Sequence, residues 1–321
     1  MMRAIVVETP GGPDRLQLRQ VPVGEPGPQD LLVAAGAVGV NFIDVYHRSG
    51  VYPKPLPFVP GLEVAGTVLA MGEQVTGFRV GQRVATAGAL GGYAEQVIVP
   101  AQQAVAVPEG VSDQQAAALM LQGITAHYLV TGCHEVARGE TVLVQAAAGG
   151  VGLLLTQLAT ARGARVIATT STEQKAELAR EAGAWQVVGY DNFAQRVRKL
   201  TDGQGVQAVF DGVGGPTVDG SLACLRRRGT LVLFGAAGGP VPPIDPQRLS
   251  AAGSVFLTRP TIGDFTATRE ELLSRTDELF ARLEDGTMRL RIEHTYPLAL
   301  ASRAHEDLQA RRTTGKLLLL P

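Results

Sequence analysis

A strict alternation of short apolar segments and amphipathic segments between residues 141 and 234 constrains the fold of this chain most strongly. Five strands are predicted, at residues 141–146, 165–169, 186–190, 206–211 and 230–234. Helices are predicted between them, at residues 150–162, 173–182, 192–200 and 217–227. This alternation is typical of a parallel, doubly wound α/β sheet. The strands lack polar positions at every second residue, as expected where helices cover both faces of the sheet.

The segments on either side of this region have a different character. Short apolar runs punctuated by Gly and Pro fill the first 120 residues and predict a small antiparallel barrel or sandwich. Ser112, with Gln115 three residues later, predicts the capped start of an Ala-rich helix. After Pro240 the pattern predicts a strand at 254–258 and a helix at 269–283.

The last apolar segments, at 293–297 and 317–320, are short and are expected to return to the first domain. A chain of 321 residues has room for about two domains. We therefore predict one domain formed by residues 1–122 and 260–321, and a second domain formed by residues 123–259.

Composition excludes several classes of protein. The chain carries 29 Lys and Arg against 30 Asp and Glu, a net charge of −1, which argues against a nucleic-acid partner. Two cysteines are too few for a disulfide framework or a four-thiolate zinc site, and they suit a reducing, cytoplasmic location. Residues 141–161 carry no charge, but their glycines and glutamines argue against a membrane span.

The motif with the clearest chemical meaning is a run of small residues between the first strand and the first helix of the alternating region. Small residues allow backbone N–H groups to approach a pyrophosphate, and the helix N-terminus adds a positive partial charge. The alternative is a glycine-rich turn needed only for tight packing. The predicted binding residues in this run are Ala147, Gly149, Gly150, Val151 and Gly152.

The residues that follow the second strand, here called its exit, indicate which dinucleotide is bound. An NAD site places an acid about 20 residues beyond the glycines, on the ribose diol. Here residues 169–172 are Thr-Thr-Ser-Thr, and Lys175 follows. Thr170, Ser171 and Lys175 are therefore predicted to bind the 2′-phosphate of NADPH. The alternatives are that Ser171 caps a helix and that Lys175 is simply solvated.

Ligands of doubly wound sheets lie at the carboxyl ends of the strands. Tyr190 follows the third strand and is predicted to flank the adenosine. Glycine-rich exits follow the fourth and fifth strands, where Val213, Phe234 and Gly235 are predicted to border the cofactor. Turn formation alone is the alternative for these exits, including Asp211.

With these residues in place, the chain resembles the zinc-free quinone oxidoreductases, the zeta-crystallin group of the medium-chain dehydrogenase/reductase family. The resemblance covers essentially the whole chain and rests on several separated motifs. They lie at residues 39–46, 48–53, 60–66, 122–126, 146–152, 183–186 and 311–316. The resemblance implies a GroES-like β-barrel domain joined to a Rossmann dinucleotide-binding domain. One departure is Ala168, where many relatives carry glycine.

The resemblance also implies site residues outside the alternating region. Asn41, Tyr46 and Tyr52 match positions that line the nicotinamide and substrate cleft, so they are the candidate catalytic residues, with Asn41 also touching the cofactor. The alternative is that the two tyrosines only form a half-buried wall of the cleft. A phenol with a pKa of about 10 is a poor acid at neutral pH, so a role as proton donor is not required of them. Further matches to cofactor-contacting positions are Gln122, Thr125, Lys175, Tyr190 and Arg311.

The zinc-dependent relatives carry a Cys or His near residues 41–44 and a His where Leu62 stands, and neither is present here. No metal is therefore expected. The implied activity is NADPH-dependent reduction of a quinone or another conjugated carbonyl. One alternative is reduction of the C=C bond of an enone, alkenal or enoyl thioester. Another is an NADPH-binding structural or RNA-binding protein without turnover.

A homodimer is also predicted. The strand at 254–258 is the last of the doubly wound sheet and carries the uncharged side chains Val255, Phe256 and Leu257. An apolar edge of this kind invites pairing with a second copy, and the resemblance implies the same arrangement. The alternative is an edge covered by a loop near Pro260.

Overall fold

The structure is a computed structural model that describes residues 1–321. The chain forms two compact units, one of residues Met1–Leu121 with Thr268–Pro321 and one of residues Gln122–Ala267. The second boundary lies beyond the predicted one at 259/260. The reason is a short helix whose Phe265 stacks on Tyr128 of the second unit, with ring centroids 4.5 Å apart and ring planes 11° apart.

The elements are numbered in chain order. The first part of the chain contains β1 Met2–Val6, β2 Gln17–Val21, β3 Asp30–Val40, α1 Phe42–Ser49, β4 Val64–Met71, β5 Arg83–Thr86, β6 Gln96–Pro100, β7 Val105–Ala106 and α2 Asp113–Tyr128. The alternating part contains β8 Thr141–Val144, α3 Gly150–Ala161, β9 Arg165–Thr169, α4 Glu173–Glu181, β10 Gln186–Val188, α5 Phe193–Leu200, β11 Val206–Asp211, α6 Val218–Cys224, β12 Leu225–Leu233, α7 Pro246–Ala251, β13 Phe256–Thr258 and α8 Ile262–Phe265. The last part contains α9 Arg269–Glu284, β14 Ile292–Pro297, α10 Ala301–Gln309 and β15 Lys316–Leu320.

The second unit is built on a six-stranded sheet in the order β10-β9-β8-β11-β12-β13. Every neighbouring pair is parallel. The strand order reverses between β8 and β11, so the carboxyl ends of these two strands form the switch point where such sheets bind ligands. Leu143, Ile167, Val209 and Leu231, on four adjacent strands, are fully buried in its core. The predicted doubly wound fold is confirmed.

Several predicted elements of this unit have different bounds in the structure, and two of them matter for the site or the sheet edge. The helix expected at 217–227 stops at Cys224, because Leu225 already pairs with Val206 at the start of β11. The strand expected at 254–258 is limited to Phe256–Thr258 at the sheet edge. Val255 is buried in the core, whereas Phe256 is 62% exposed. The outward apolar side chain of the edge is therefore Phe256.

The first unit contains a seven-stranded sheet in the order β14-β15-β3-β4-β5-β7, with β6 also paired to β3. Its pairs are antiparallel except β14 with β15. The C-terminal β15 pairs with β3, so the predicted return of the chain end to the first domain is confirmed. Ser112 and Gln115 form the predicted capping box of α2, through bonds of 2.9 and 3.2 Å.

None of the helices combines the length and apolar composition needed to cross a bilayer. The uncharged segment 141–161 is divided into β8, a glycine loop and α3.

Candidate functional site

The glycine-rich loop leaves β8 at the switch point and leads directly into α3. Gly149 is the N-cap of α3, and no side chain caps the helix. The first N–H groups of a helix have no intrahelical partner, and together with the helix dipole they form an anion-binding end. This loop therefore suits a pyrophosphate, as the sequence predicts.

The size of the glycines matters at two positions of the loop. A Cβ on Gly152 would collide with the carbonyl oxygen of Ala146 and with the backbone of Ala147. A Cβ on Gly150 would collide with the side-chain amide of Gln122. The structure thus brings the predicted residues Gln122 and Gly150 together, and it leaves no room for a side chain at Gly152.

Ala146 begins the loop in the left-handed conformation, with φ of 51°. A non-glycine residue pays about 1–3 kcal/mol for such a conformation and needs neighbours that fix it. Its N–H donates to the hydroxyl of Thr169 over 3.1 Å, and the next N–H, of Ala147, donates to the Thr169 carbonyl over 3.0 Å. Thr169, at the end of β9, therefore holds the turn.

The exit of β9 carries the residues predicted to bind a 2′-phosphate. Thr170 is buried and Ser171 is exposed. The cap of α4 is Thr172, whose hydroxyl accepts from the backbone N–H of Lys175 over 3.3 Å. The alternative that Ser171 is the cap is therefore wrong, because the helix begins one residue later.

The first acid after β9 is Glu173, and it is engaged elsewhere. Its carboxylate accepts from Arg180 over 2.6 Å along the same helix. No acidic side chain lies between 169 and 172. The exit therefore has hydroxyls and a lysine, and it lacks the carboxylate that a ribose diol requires.

Tyr190 follows the edge strand β10, whose exit is joined to that of β9 by a bond of 3.2 Å from the Thr170 N–H to the Val188 carbonyl. The exits of β11 and β12 are also joined. The Phe234 N–H donates to the Asp211 carbonyl over 3.0 Å, and the Gly238 N–H donates to the Val213 carbonyl over 2.7 Å. Val213, Phe234 and Gly235 thus share one end of the sheet.

Asp211 is completely buried and fully bonded. One carboxylate oxygen accepts the N–H groups of Val213 and Gly214 over 2.8 and 3.0 Å, and the other accepts from Ser221 over 2.8 Å. The Thr217 hydroxyl reaches both oxygens. The carboxylate shapes the exit of β11, which favours the turn-forming interpretation.

The first unit holds Asn41 in a buried polar cluster. The Asn41 side-chain oxygen accepts from Lys316 over 2.8 Å, and its amide nitrogen donates to Glu63 over 2.8 Å. Lys316 and Glu63 also form an ion pair, and all three side chains are buried. Glu63 in addition accepts the backbone N–H of Leu121 over 2.6 Å.

The roles of Lys316 and Glu63 were not predicted from the sequence. The available signal is a charge in each of two otherwise apolar segments, Gly-Leu-Glu-Val-Ala and Lys-Leu-Leu-Leu-Leu. Burying an unpaired charge is costly, so two such charges indicate a pair. The two segments are far apart in the chain, which conceals the partnership.

A second buried chain of hydrogen bonds fixes the start of α1. The backbone N–H of Asn41 donates to Asp44 over 2.9 Å, and the Tyr93 hydroxyl donates to the same oxygen over 3.1 Å. His305 lies 2.9 Å from the Tyr93 hydroxyl and 3.5 Å from an Arg48 nitrogen. Because Tyr93 donates to Asp44, His305 donates from Nε2 and accepts from Arg48 at Nδ1.

Burial has the largest effect on the pKa values of the two titratable groups in this chain of hydrogen bonds, Asp44 and His305. It raises the pKa of Asp44 to about 7, against the opposing hydrogen bonds from Asn41 and Tyr93. It lowers the pKa of His305 to about 3, with the Arg48 charge acting in the same direction. His305 is therefore neutral at physiological pH.

Tyr46 and Tyr52 lie together at the end of α1. Their ring centroids are 5.2 Å apart with an edge-to-face angle of 63°, and the Tyr52 N–H donates to the Tyr46 carbonyl over 3.1 Å. Tyr52 is 40% exposed. The pair forms an aromatic surface.

Of the remaining predicted residues, Thr125 is buried on α2, and Arg311 lies in an exposed turn after α10.

No group of three or more His, Cys, Asp or Glu side chains in the structure is placed to hold a metal ion.

A GroES-like barrel unit combined with a Rossmann unit defines the medium-chain dehydrogenase/reductase class. Two family patterns match accordingly, one described as an alcohol dehydrogenase GroES-like domain over residues 27–109 and one as a zinc-binding dehydrogenase over residues 150–277.

Relatives that match over the full length of the chain show which branch of this class it belongs to. The chain is 47% identical to a quinone oxidoreductase of Pseudomonas aeruginosa over 325 residues, covering 100% of both proteins. It is 40% identical to a 2-haloacrylate reductase of Burkholderia sp., covering 100% of this chain and 99% of the relative. A mycobacterial protein solved in complex with NADPH matches with a TM-score of 0.98 and 53% identity, covering 100% of both chains. The chain belongs to the quinone oxidoreductase family, so the resemblance is confirmed.

Proposed function

We propose that this protein is an NADPH-dependent quinone reductase that works without zinc. The observation that carries the proposal is the uncapped start of α3 beside a β9 exit that offers hydroxyls and Lys175 but no free acid. The relatives support it, since one is named a quinone oxidoreductase and another was solved with NADPH.

The residues of the second unit are assigned to cofactor binding. The N–H groups at the start of α3 donate to the pyrophosphate, because they point out of an uncapped helix end. Ser171 and Lys175 bind the 2′-phosphate, the lysine through a charge-assisted contact. Tyr190, Val213, Phe234 and Gly235 border the cofactor along the strand exits. When bound, NADPH supplies two electrons and one hydrogen, and a quinone that also takes one proton from water becomes a hydroquinone.

The residues of the first unit are assigned to the reacting end. Asn41 keeps one orientation of its amide, since Lys316 and Glu63 engage its oxygen and nitrogen. A fixed amide can orient a ligand without moving. The pair of Tyr46 and Tyr52 offers an aromatic surface that suits a planar quinone ring. Gln122, Thr125 and Arg311 are assigned to cofactor contacts by the family resemblance.

The test is NADPH oxidation followed at steady state with a panel of quinones, enones and enoyl thioesters. Turnover with quinones at higher kcat/KM than with the other acceptors supports the proposal. NADPH binding without turnover of any acceptor contradicts it and favours a binding protein. NADH in place of NADPH is the matched control, and it should react more weakly.

A second candidate activity is reduction of an activated C=C bond. The observation that favours it is the 40% identity with a 2-haloacrylate reductase across the full chain. In the same panel, kcat/KM values for enones that exceed those for quinones would select this activity.

We further propose a homodimer joined through β13 and a cytoplasmic location. β13 has a neighbour on one side only, and its exposed Phe256 gives it an apolar edge. Neither Cys133 nor Cys224 forms a disulfide, and burial raises the pKa of Cys224 to about 12. Such thiols suit a reducing compartment.

A further inference from the structure

A continuous chain of buried hydrogen bonds crosses three adjacent strands of the second unit beneath the glycine loop. The Thr169 hydroxyl donates to the side-chain oxygen of Gln145 over 2.6 Å. The Gln145 nitrogen donates to Ser221 over 3.0 Å, and Ser221 donates to Asp211 over 2.8 Å. All four side chains are buried, so each bond forms in a region of low dielectric constant.

Both ends of this chain terminate on loop backbone. At one end, Thr169 accepts the N–H of Ala146, the left-handed residue that opens the glycine loop. At the other end, Asp211 accepts the N–H groups of Val213 and Gly214 in the exit of β11. The chain therefore ties the two loops that flank the switch point to each other.

The direction of every bond is fixed. Thr169 has one hydroxyl hydrogen, which it donates to Gln145, so its oxygen is left to accept from Ala146. Gln145 must then point its oxygen at Thr169 and its nitrogen at Ser221. Because each group has one role, removal of the Thr169 hydroxyl leaves the Gln145 oxygen and the Ala146 N–H without these partners.

We propose that Thr169 and Gln145 are positioning residues for NADPH, which act by setting the turn at Ala146 and so the direction of the N–H groups at the start of α3. This inference rests on the proposed use of NADPH. Neither residue needs to touch the cofactor, because both act through the loop backbone.

The test uses Thr169→Val, which keeps the shape of the side chain and removes its hydrogen bonds. The Kd for NADPH is measured by fluorescence titration well below the melting temperature. It should rise about 5- to 30-fold, the effect of losing one or two buried hydrogen bonds. Thr169→Ser should restore most of the affinity, and kcat at saturating NADPH should change less than Kd.

Thr156→Val is the matched control. Thr156 is buried on α3 in the same unit, and its hydroxyl has no hydrogen-bond partner. This variant should leave the Kd for NADPH unchanged. If Thr169→Val does not fold, Ser221→Ala interrupts the chain of hydrogen bonds farther from the loop. This variant should still weaken NADPH binding, by about threefold.

The outcomes separate this inference from the proposed function. Failure of the wild-type protein to bind NADPH contradicts the proposed function. If the wild type binds NADPH while Thr169→Val, or Ser221→Ala in its place, has a lower Tm and an unchanged Kd, the chain has only a structural role and the inference is wrong.

Discussion

The ammonium group of Lys316 lies 2.8 Å from the side-chain oxygen of Asn41 and is ion-paired with Glu63. Lys316 and Glu63 are only 2% and 0% exposed in their side chains. Two charges in such a place are stable only as a pair with satisfied hydrogen bonds. The orientation of Asn41 thus depends on a lysine at the far end of the chain, in the strand β15 that closes onto β3.

The first prediction concerns this ion pair. Lys316→Met keeps the length of the side chain and leaves the Glu63 carboxylate buried without its cation, so the free energy of unfolding should fall by about 3–5 kcal/mol. Adding Glu63→Gln should recover part of the loss, because the two residues interact directly. Urea unfolding followed by circular dichroism measures both effects.

Arg180→Ala is the control for the ion-pair prediction. The pair of Arg180 with Glu173 is 51% and 73% exposed, so its loss should cost less than about 1 kcal/mol. A Lys316→Met protein as stable as the Arg180→Ala protein would show that the buried pair contributes nothing.

The second prediction concerns pH. Burial raises the pKa of Asp44 to about 7, so the folded state keeps a proton on Asp44 that the unfolded chain releases near pH 4. The contribution of Asp44 to the free energy of unfolding therefore falls as pH rises from about 4 to about 7. Burial lowers the pKa of His305 to about 3, so the His305 contribution rises between about pH 3 and pH 6.5.

The two groups thus oppose each other between about pH 4 and pH 6.5. In Asp44→Asn the free energy of unfolding should rise more steeply with pH in this range, by up to about 1.4 kcal/mol per pH unit. In His305→Gln it should rise less steeply, although His47, whose pKa burial lowers to about 4, still contributes. Asp202→Asn, in an exposed turn, serves as the control. Parallel curves for wild type and Asp44→Asn would contradict the prediction.

The third prediction concerns the choice of cofactor. Lys175→Ala should raise the Kd for NADPH by about 10- to 150-fold, since a charge-assisted phosphate contact is worth about 1.5–3 kcal/mol. The Kd for NADH should stay nearly constant, because NADH lacks the 2′-phosphate. Lys199→Ala, on α5, is the matched control. Equal weakening of both cofactors by Lys175→Ala would mean that this lysine does not bind the 2′-phosphate.

Local pattern was sufficient to predict the Rossmann unit. Its strands are short apolar runs separated by glycine-rich turns, so period and punctuation locate most of its elements. The errors lie at element ends and in the short helices α7 and α8, which the pattern did not predict. α6 stops at Cys224 because pairing of Leu225 with Val206 outweighs the helical pattern, and no local signal in the sequence records a pairing between distant strands.

The buried polar groups could not be predicted for the same reason. Thr169, Gln145, Ser221 and Asp211 lie on separate elements, and each resembles an ordinary strand-end or helix residue in the sequence. They form one hydrogen-bonded chain only after the strand order of the sheet is known. The same holds for Glu63 with Lys316, which β15 brings to β3.

The fourth prediction concerns metal. Asn41 and Leu62 carry no thiolate, imidazole or carboxylate, the groups that bind zinc in proteins, and the Asn41 amide is already engaged by Lys316 and Glu63. Dialysis against a chelator should therefore leave the rate of NADPH oxidation with a quinone unchanged, and added zinc should not raise it. A loss of activity that zinc restores would contradict the prediction.

The fifth prediction concerns the proposed dimer. β13 pairs with β12 on one side, and its other side ends the sheet. A two-fold axis would place the same strand of a second copy beside it in antiparallel fashion. Light scattering should therefore give twice the chain mass of 33.7 kDa. A species of 33.7 kDa at micromolar concentration would contradict the dimer.

The position of the interface is tested by Phe256→Lys. Phe256 is 62% exposed in the single chain, and pairing through β13 would bury it in both copies. A lysine there would place two like charges at the axis without partners, a change that should dissociate the dimer. Val80→Lys is the control, since Val80 is 60% exposed and belongs to the first unit, whereas β13 belongs to the second. If Phe256→Lys leaves the mass unchanged, the two copies meet at another surface; if both variants dissociate the dimer, the effect is one of added charge and does not locate the interface at β13.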